Sequence, residues 1–489
     1  MVVDEAAAAS STGCSQPEDR RRRTCLNTSS CSPRIFFLTI LVLCSVLFIL
    51  HLVPQPDFLD RASGTEPRTT LAERFGRIVG PFKSDGGDAE IESMAEKLRM
   101  SITYHPLKDL CYASSALEGH TWFMSTFNDT NVEGEGQQLR FPSEASQGRV
   151  LCIKGRDPYN GTRNHYGVAW PGFLPRNATF REGLTFITNN HYSYDNIWHG
   201  LSAMVPFVGW HEKNGCRRPA RWVLYHKGEI RNHAAPWLEL LFSATFGGPL
   251  TIDAFVDGVN NEGPVCFEEA VVMRHNEVGM SSQRRMEAYD LIRCQARRYC
   301  NVSVEDRPVV GMTMLLRTGA RSFKDDVSVI EIFRKECAKF KDCQLTVAYA
   351  RNLSVCEQVE LLSKTDILVS PHGAQLTNMF LMDRNSSVME FFPMGWLKLA
   401  GYGQYVYHLM ASWSGMRHQG VWRDPDGDPC PHPEDNRQCF GFYKSGRIGH
   451  NQTYFSEWAG KVLNEVVSMK AADAISKTNA SSPVACSCG

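Results

Sequence analysis

The chain has almost no net charge: 52 Lys and Arg stand against 53 Asp and Glu. That balance argues against a nucleic-acid partner, which needs a basic face. There is no internal repeat and no long low-complexity tract, which excludes solenoid and propeller arrays. No C-x-x-C pair, G-x-S-x-G elbow or zinc-type ligand spacing occurs, so dithiol redox chemistry, the serine hydrolase turn and zinc modules find no support. The acidic stretch from Asp424, DPDGDPCPHPED, is broken by Pro425 and Pro429 and lacks the later Glu of a calcium loop. It reads as a loop anchored by a disulfide near Cys430 and Cys439. The KDD at 324–326 reads as a helix start. No metal site is expected.

What is present is apolar mass. Of 489 residues 43% are hydrophobic and ten are Trp, enough for two domains or one large one. Ile35 to Val53 carries no acidic or basic residue other than His51. It is long enough to cross the hydrocarbon core as a helix. Arg20, Arg21, Arg22, Arg23 and Arg34 precede it, while Asp57 and Asp60 follow, so the remainder faces the lumen. The run starts too late and is too long for a cleaved signal peptide.

Two further signals agree with a lumenal body. N-x-S/T sequons occur at Asn128, Asn160, Asn177, Asn301, Asn352, Asn385, Asn451 and Asn479, each a glycosylation candidate. Thirteen cysteines follow the apolar run, and an oxidising lumen lets several pair.

The expected organisation is a cytosolic tail (1–34), a transmembrane signal anchor (35–53) and a polar stem (54–100). Two domains (101–305 and 306–465) and a C-terminal tail (466–489) follow. From Val309 to Pro393 strands and helices alternate four times. VVGMTMLL, QLTVAY, DILVS and SVMEFF read as strands. VSVIEIFRKECAKF puts Val329, Ile332, Phe333 and Cys337 on one helical face. Ser354 and Glu357 open SVCEQVELLSK as a capping box. Such alternation predicts a parallel sheet covered by helices. Upstream, LTFIT, ARWVLYH, LTIDAF and VCFEEAVV read as strands, with helices at 197–206 and 237–245. The fold class is therefore α/β, two facing Rossmann-like domains with a cleft between them, after one N-terminal membrane helix.

Three segments carry chemistry. In DILVSPHGAQLTNMFLM a strand ends at Ser370 and a helix begins near Ala374. Ligands sit at the carboxyl ends of parallel strands, and a helix start suits a diphosphate. Gly373 permits close backbone approach; His372 can donate to a phosphate oxygen; Thr377 and Asn378 lie one turn in. Arg317 falls at another strand end, with Arg321 four further on, and Arg forks match phosphate geometry. Asp195 and His199, four apart, are expected to share a helical face, where His199 is chemically able to take a hydroxyl proton and Asp195 to orient it. Each has a bland alternative: a capping turn, a solvated basic pair, and an N-cap beside a core histidine. Glu390, ending SVMEFF, is placed to hold ribose hydroxyls or a salt bridge. Glu239 is a second base candidate or merely exposed.

The segment SPHGAQLTNMFLM resembles glycosyltransferase family 61, which carries H-G-A-x-L-T-N/H, matched by His372, Gly373, Ala374, Leu376, Thr377 and Asn378. Gln375 stands where many members have Gly. The likeness extends to Asn196 and His199 of an N-x-x-H segment, to Arg317, to SSVMEFFP and to YVYHLMASWSGMRHQGVWRDP. It covers about residues 100 to 465. The resemblance implies a GT-B enzyme that inverts the anomeric centre without a metal or other cofactor. The single-domain GT-A fold, with its D-x-D metal site, is the alternative.

The resemblance also implies a Golgi type II membrane protein, with a UDP-sugar donor and a polysaccharide or glycoprotein acceptor. The WLKLAGYGQYVYHLMASWSGMRHQG segment looks like the plant xylan and mucilage clade, making UDP-xylose the preferred donor, with UDP-GlcNAc or UDP-arabinose as alternatives. On this reading the diphosphate lies at residues 372–374 near Arg317, and His199 is the base. A catalytically inactive glycan-binding subunit, and a hydrolase using Glu239 with another acid, are the competing functions.

Overall fold

The computed structural model describes residues 88–108, 123–249, 251–255, 263–274, 279–303 and 307–476. The expected cytosolic tail and anchor, most of the expected stem and Asn479 lie outside the described residues. Among those described, no helix is long and apolar enough to cross a membrane. Helix α1 (Asp88–Met100) occupies the end of the expected stem.

The first sheet has nine strands: β1 (His105–Pro106), β2 (Gln138–Phe141), β3 (Val150–Lys154), β4 (His165–Ala169), β5 (Thr179–Asn190), β6 (Arg221–His226), β7 (Glu229–Arg231), β8 (Thr251–Ile252) and β9 (Val265–Met273). Its centre is parallel, with β5 between β9 and β6 and β8 beside β6. Strands β1 to β4 and β7 pair antiparallel. This sheet, expected to be Rossmann-like, is therefore mixed, with a parallel centre and antiparallel flanks.

Period-two alternation sets its faces. Phe186, Trp222, Leu224 and Val271 join one core; Ile187, Val223, Tyr225 and Val272 join the other. Helices α2 (Ile197–Lys213), α3 (Pro236–Phe246) and α4 (Ser282–Tyr299) cover the first face. There Trp222 stacks on Phe242 at 4.1 Å. Fully burying one such side chain is worth about 1.5–3 kcal/mol.

The second sheet contains β10 (Val310–Leu316), β11 (Cys343–Tyr349), β12 (Ile367–Pro371), β13 (Ser387–Phe392) and β14 (Arg417–Arg423). Every pairing in it is parallel. The order is β11-β10-β12-β13-β14, a doubly wound arrangement whose direction switches between β10 and β12. Helix α5 (Asp326–Cys337) buries Val329, Ile332, Phe333 and Cys337, as the periodicity predicts, with Asp325 as N-cap. Helix α6 (Val355–Ser363) opens with the Ser354–Glu357 capping box. Helices α7 (Trp396–Leu399), α8 (Val406–Ser414), α9 (Asn436–Ser445) and α10 (Gln452–Ser476) complete the chain. Helix α10 occupies the first part of the expected C-terminal tail. It packs with α5 against Met312, Met314, Val369 and Phe391.

All ten described cysteines are disulfide-bonded. Cys152–Cys266 ties β3 to β9, Cys300–Cys356 ties the end of α4 to α6, and Cys430–Cys439 anchors the acidic loop.

Candidate active site

Strand β10 ends at Leu316 and β12 at Pro371, so Arg317 and His372 flank the switch point at the carboxyl ends of two adjacent strands. Arg317 Nη1 donates to the His372 carbonyl at 3.2 Å. Gly373 is needed for that approach: a Cβ there would collide with the Arg317 guanidinium and the Gln375 side chain. Gln375, in turn, donates to the Pro371 carbonyl at 2.8 Å. A 3-10 helix, Ala374–Leu381, follows, rather than an α-helix. Its first internal bond runs from Leu376 N–H to Gly373 C=O, leaving the Ala374 and Gln375 N–H groups at an open helix start.

Arg321 sits in a left-handed turn (φ 60°), its N–H held by the Gly446 carbonyl at 2.7 Å. Its guanidinium carbon lies 5.0 Å from the Trp396 ring centre. Arg317 and Arg321 have Nε atoms that are buried without a hydrogen bond. Neither has a carboxylate partner among the described residues. Burial lowers the pKa of both, that of Arg321 to about 10, with the like charge of Arg317 adding to it. Half-buried cations without a counter-charge are costly, and an anion bound there would relieve them.

His372 is buried, stacked on Phe392 at 4.6 Å and next to Trp396 and Tyr407 at 5.4 and 5.1 Å. Its Nδ1 lies 2.6 Å from Glu390 Oε1. Glu390 is fully buried, and its Oε2 lies 2.8 Å from His418 Nε2. Both carboxylate oxygens are thus committed to imidazoles rather than turned out towards a ribose. Burial alone would raise the Glu390 carboxyl, but the two imidazoles hold it below its usual range. Burial pushes the His372 imidazole down; Glu390 opposes this, while Arg321 and Arg317 add to it.

His418 belongs to this cluster, and the sequence reading did not single it out. A register shift between β13 and β14 falls here, with Val388 opposite His418 and Glu390 opposite Val421. Such a bulge re-aims side chains. Gly420 supplies the backbone freedom at φ 100°, and its N–H reaches His418 Nδ1 at 3.3 Å. The only sequence signal was a His two residues before a Gly in a strand.

The other candidates are placed differently. Thr377 and Asn378 are buried, and Asn378 Nδ2 donates to Gln358 Oε1 at 2.6 Å, bracing the 3-10 helix against α6. Asp195 does not share a helical face with His199, because Asn196 caps α2 and Asp195 precedes it. The Asp195 carboxylate instead meets the Ser193 hydroxyl and lies 3.9 Å from His233 at the surface. His199 stacks on Tyr192 at 4.1 Å. Its neighbour Trp198 lies 6.2 Å from Tyr407, so the first turn of α2 adjoins the His372 site. Glu239 is exposed and accepts the Ala234 N–H at 3.1 Å, a local cap.

Of the acidic loop, Asp424 is buried, accepting from Gly449 and Asp426 N–H and from Lys324. Among the described residues no group of three or more His, Cys, Asp or Glu gathers as a metal site. Asn128, Asn177, Asn301, Asn352, Asn385 and Asn451 are exposed. Asn160 is partly buried, its Oδ1 taken by Thr162 N–H and Oγ1 at 3.0 and 2.7 Å.

Residues 160–389 match the family model described as Glycosyltransferase 61. That span includes both Arg317 and His372 but stops one residue before Glu390. Comparison with curated proteins gave no match.

Proposed function

We propose that this chain, whose residues 160–389 match the family model described as Glycosyltransferase 61, is an inverting, metal-independent enzyme of that family using a UDP-sugar, with UDP-xylose as preferred donor. One observation carries the donor reading: two half-buried arginines, each with a buried unbonded Nε and no carboxylate partner among the described residues, stand at the switch point beside an open helix start. The diphosphate would lie there, between Arg317, Arg321 and the N–H groups of residues 374–375. As the sugar–phosphate bond breaks, negative charge grows on the leaving oxygen, and preorganised cations stabilise it. An acceptor hydroxyl on a cell-wall polysaccharide or glycoprotein glycan attacks from the opposite face. His199, near the site but without the Asp195 partner, is the base in this scheme.

The GT-B reading rests on the two sheets and the site at the second one. The reading of a Golgi type II protein with a lumenal body is supported by the ten bonded cysteines and six exposed sequons; disulfides persist in oxidising compartments.

The test is to incubate purified protein with a panel of UDP-sugars, score UDP release, and repeat with xylan and N-glycan acceptors. UDP-xylose should give the highest acceptor-dependent release. UDP binding without release on any acceptor would leave a glycan-binding subunit, and glycan cleavage without nucleotide would favour a hydrolase.

A further inference from the structure

Resting on the UDP-sugar reading above, we propose that His372 takes up a proton at Nε2 when the donor diphosphate binds and gives that hydrogen to the leaving phosphate oxygen, with Glu390 and His418 as the positioning residues that hold it for this.

The geometry fixes where the hydrogens are. An ionised carboxylate only accepts. Glu390 Oε1 and Oε2 face His372 Nδ1 at 2.6 Å and His418 Nε2 at 2.8 Å, so each of those nitrogens carries a hydrogen. A neutral His372 then has a bare Nε2 and offers a phosphate no hydrogen. It becomes a donor only as imidazolium. His418 Nδ1 receives the Gly420 N–H at 3.3 Å, which orients the ring with Nε2 on Glu390 Oε2 and leaves Glu390 Oε1 to His372.

The charges around His372 reverse sign on binding. Arg317 and Arg321 approach from the β10 end and its loop, Glu390 from β13, Tyr407 from α8, and His418 stands behind Glu390. Phe392 and Trp396 supply apolar walls. In the empty site two cations oppose one carboxylate, and burial together with the arginines favours the neutral ring. A diphosphate diester brings two negative charges, pairs with the guanidinium groups, and leaves an imidazolium between two anions, which favours the charged ring. During transfer the electron pair of the sugar C1–O bond passes to the phosphate oxygen, which accepts the Nε2 hydrogen. The acceptor oxygen bonds to C1, and its own proton goes to the base on the opposite face.

The experiment is titration calorimetry of UDP-xylose into the full-length protein near neutral pH, in two buffers of different ionisation enthalpy. The diphosphate diester itself does not titrate there, so a buffer-dependent heat counts protons taken up by the protein. Uptake of about half to one proton per donor bound is expected, with affinity weakening as pH rises, by linkage. Glu390→Gln should still bind donor with uptake near zero. His418→Gln, which keeps an N–H for Oε2, should retain the uptake; His418→Leu should lose it. Donor binding by the unaltered protein with no buffer dependence overturns the proposal while leaving the donor reading intact, as does unchanged uptake in Glu390→Gln. Absence of any UDP-sugar or UDP binding overturns the donor reading, and this inference with it. If any of these three variants fails to fold, donor binding without buffer dependence in the unaltered protein still overturns the proposal.

Discussion

The Arg317 guanidinium donates to the His372 carbonyl across 3.2 Å, so a side chain as well as the β-ladder ties the ends of β10 and β12 at the point where the sheet changes direction. With its Nε buried and unbonded, the same group keeps hydrogen-bonding capacity for an incoming anion. Arg317→Ala should lower turnover by roughly 10²–10³-fold, the usual loss for one transition-state donor. Arg317→Lys should recover only part of it, since an ammonium lacks the planar fork. Steady-state rates of UDP release check this, and near-normal rates in purified Arg317→Ala would remove Arg317 from the chemistry.

Gly373 lies under that guanidinium. Gly373→Ala should push the ends of the Arg317 and Gln375 side chains aside and weaken UDP binding, with little loss of stability because both are flexible. Gly172 has nothing within 4 Å of a would-be Cβ, so Gly172→Ala is the control and should leave affinity unchanged. Equal affinities of both variants for UDP would contradict the close-approach argument.

The buried His372–Glu390 pair makes stability depend on pH. His372 has a folded pKa below its ordinary 6.5, so the unfolded chain protonates first as pH falls. Its contribution is fully present above pH 6.5 and is lost on the way down to the depressed folded value. Glu390 is held below its ordinary 4.5, so its contribution is present above that value and is lost as pH falls through its folded pKa. Thermal melts followed by circular dichroism should show Tm falling from about pH 6.5 downward, with a second decline below about pH 4.5. Glu390→Gln should flatten the second decline. A variant curve parallel to that of the unaltered protein below pH 4.5 would count against an ionised Glu390 in the fold.

Cys152–Cys266 closes a span of 114 residues between neighbouring strands. The double substitution Cys152→Ser with Cys266→Ser should cost about 2–5 kcal/mol, read from denaturant midpoints. Unchanged midpoints would show the crosslink to be dispensable.

The sequons divide by exposure. Replacing Asn385 or Asn352 by Gln should each remove one step from the gel mobility of protein made in a secretory host. Asn160→Gln should leave mobility unchanged, because Asn160 is partly buried where it caps a 3-10 turn. A glycan found on Asn160 would show this turn to be accessible when the chain is modified.

Much of the second sheet is legible in the sequence. Its strands are short apolar runs separated by helices with clear signals, such as the Ser354–Glu357 box, and parallel strands buried on both faces read as continuous apolar runs. The first sheet is harder, because QLRF, VLCIK and HYGVA are short strands joined by irregular chain. Helix α2 runs through Pro206 to Lys213, where a Pro ordinarily marks a stop. Here the buried face of Met204, Phe207, Val208 and Trp210 outweighs the lost hydrogen bond.

The site divides in the same way. Arg317, His372 and Gly373 follow from strand ends and turn chemistry. The Asp195–His199 pairing fails because four-residue spacing matters only inside a helix, and the Asn196 side chain starts the helix one residue too late. His418 depends on a bulge and on a partner 28 residues away, neither of which local spacing reveals.

The edge strand β14 has a consequence for biosynthesis. Glu390 receives its second hydrogen bond from His418, which comes near the end of the described chain and is held in register only when β14 docks. A polypeptide still emerging from the ribosome, or one clipped after β13, contains all of residues 160–389 and yet leaves that carboxylate half-satisfied. Completion of the Glu390 cluster is thereby tied to docking of the last strand of the second sheet.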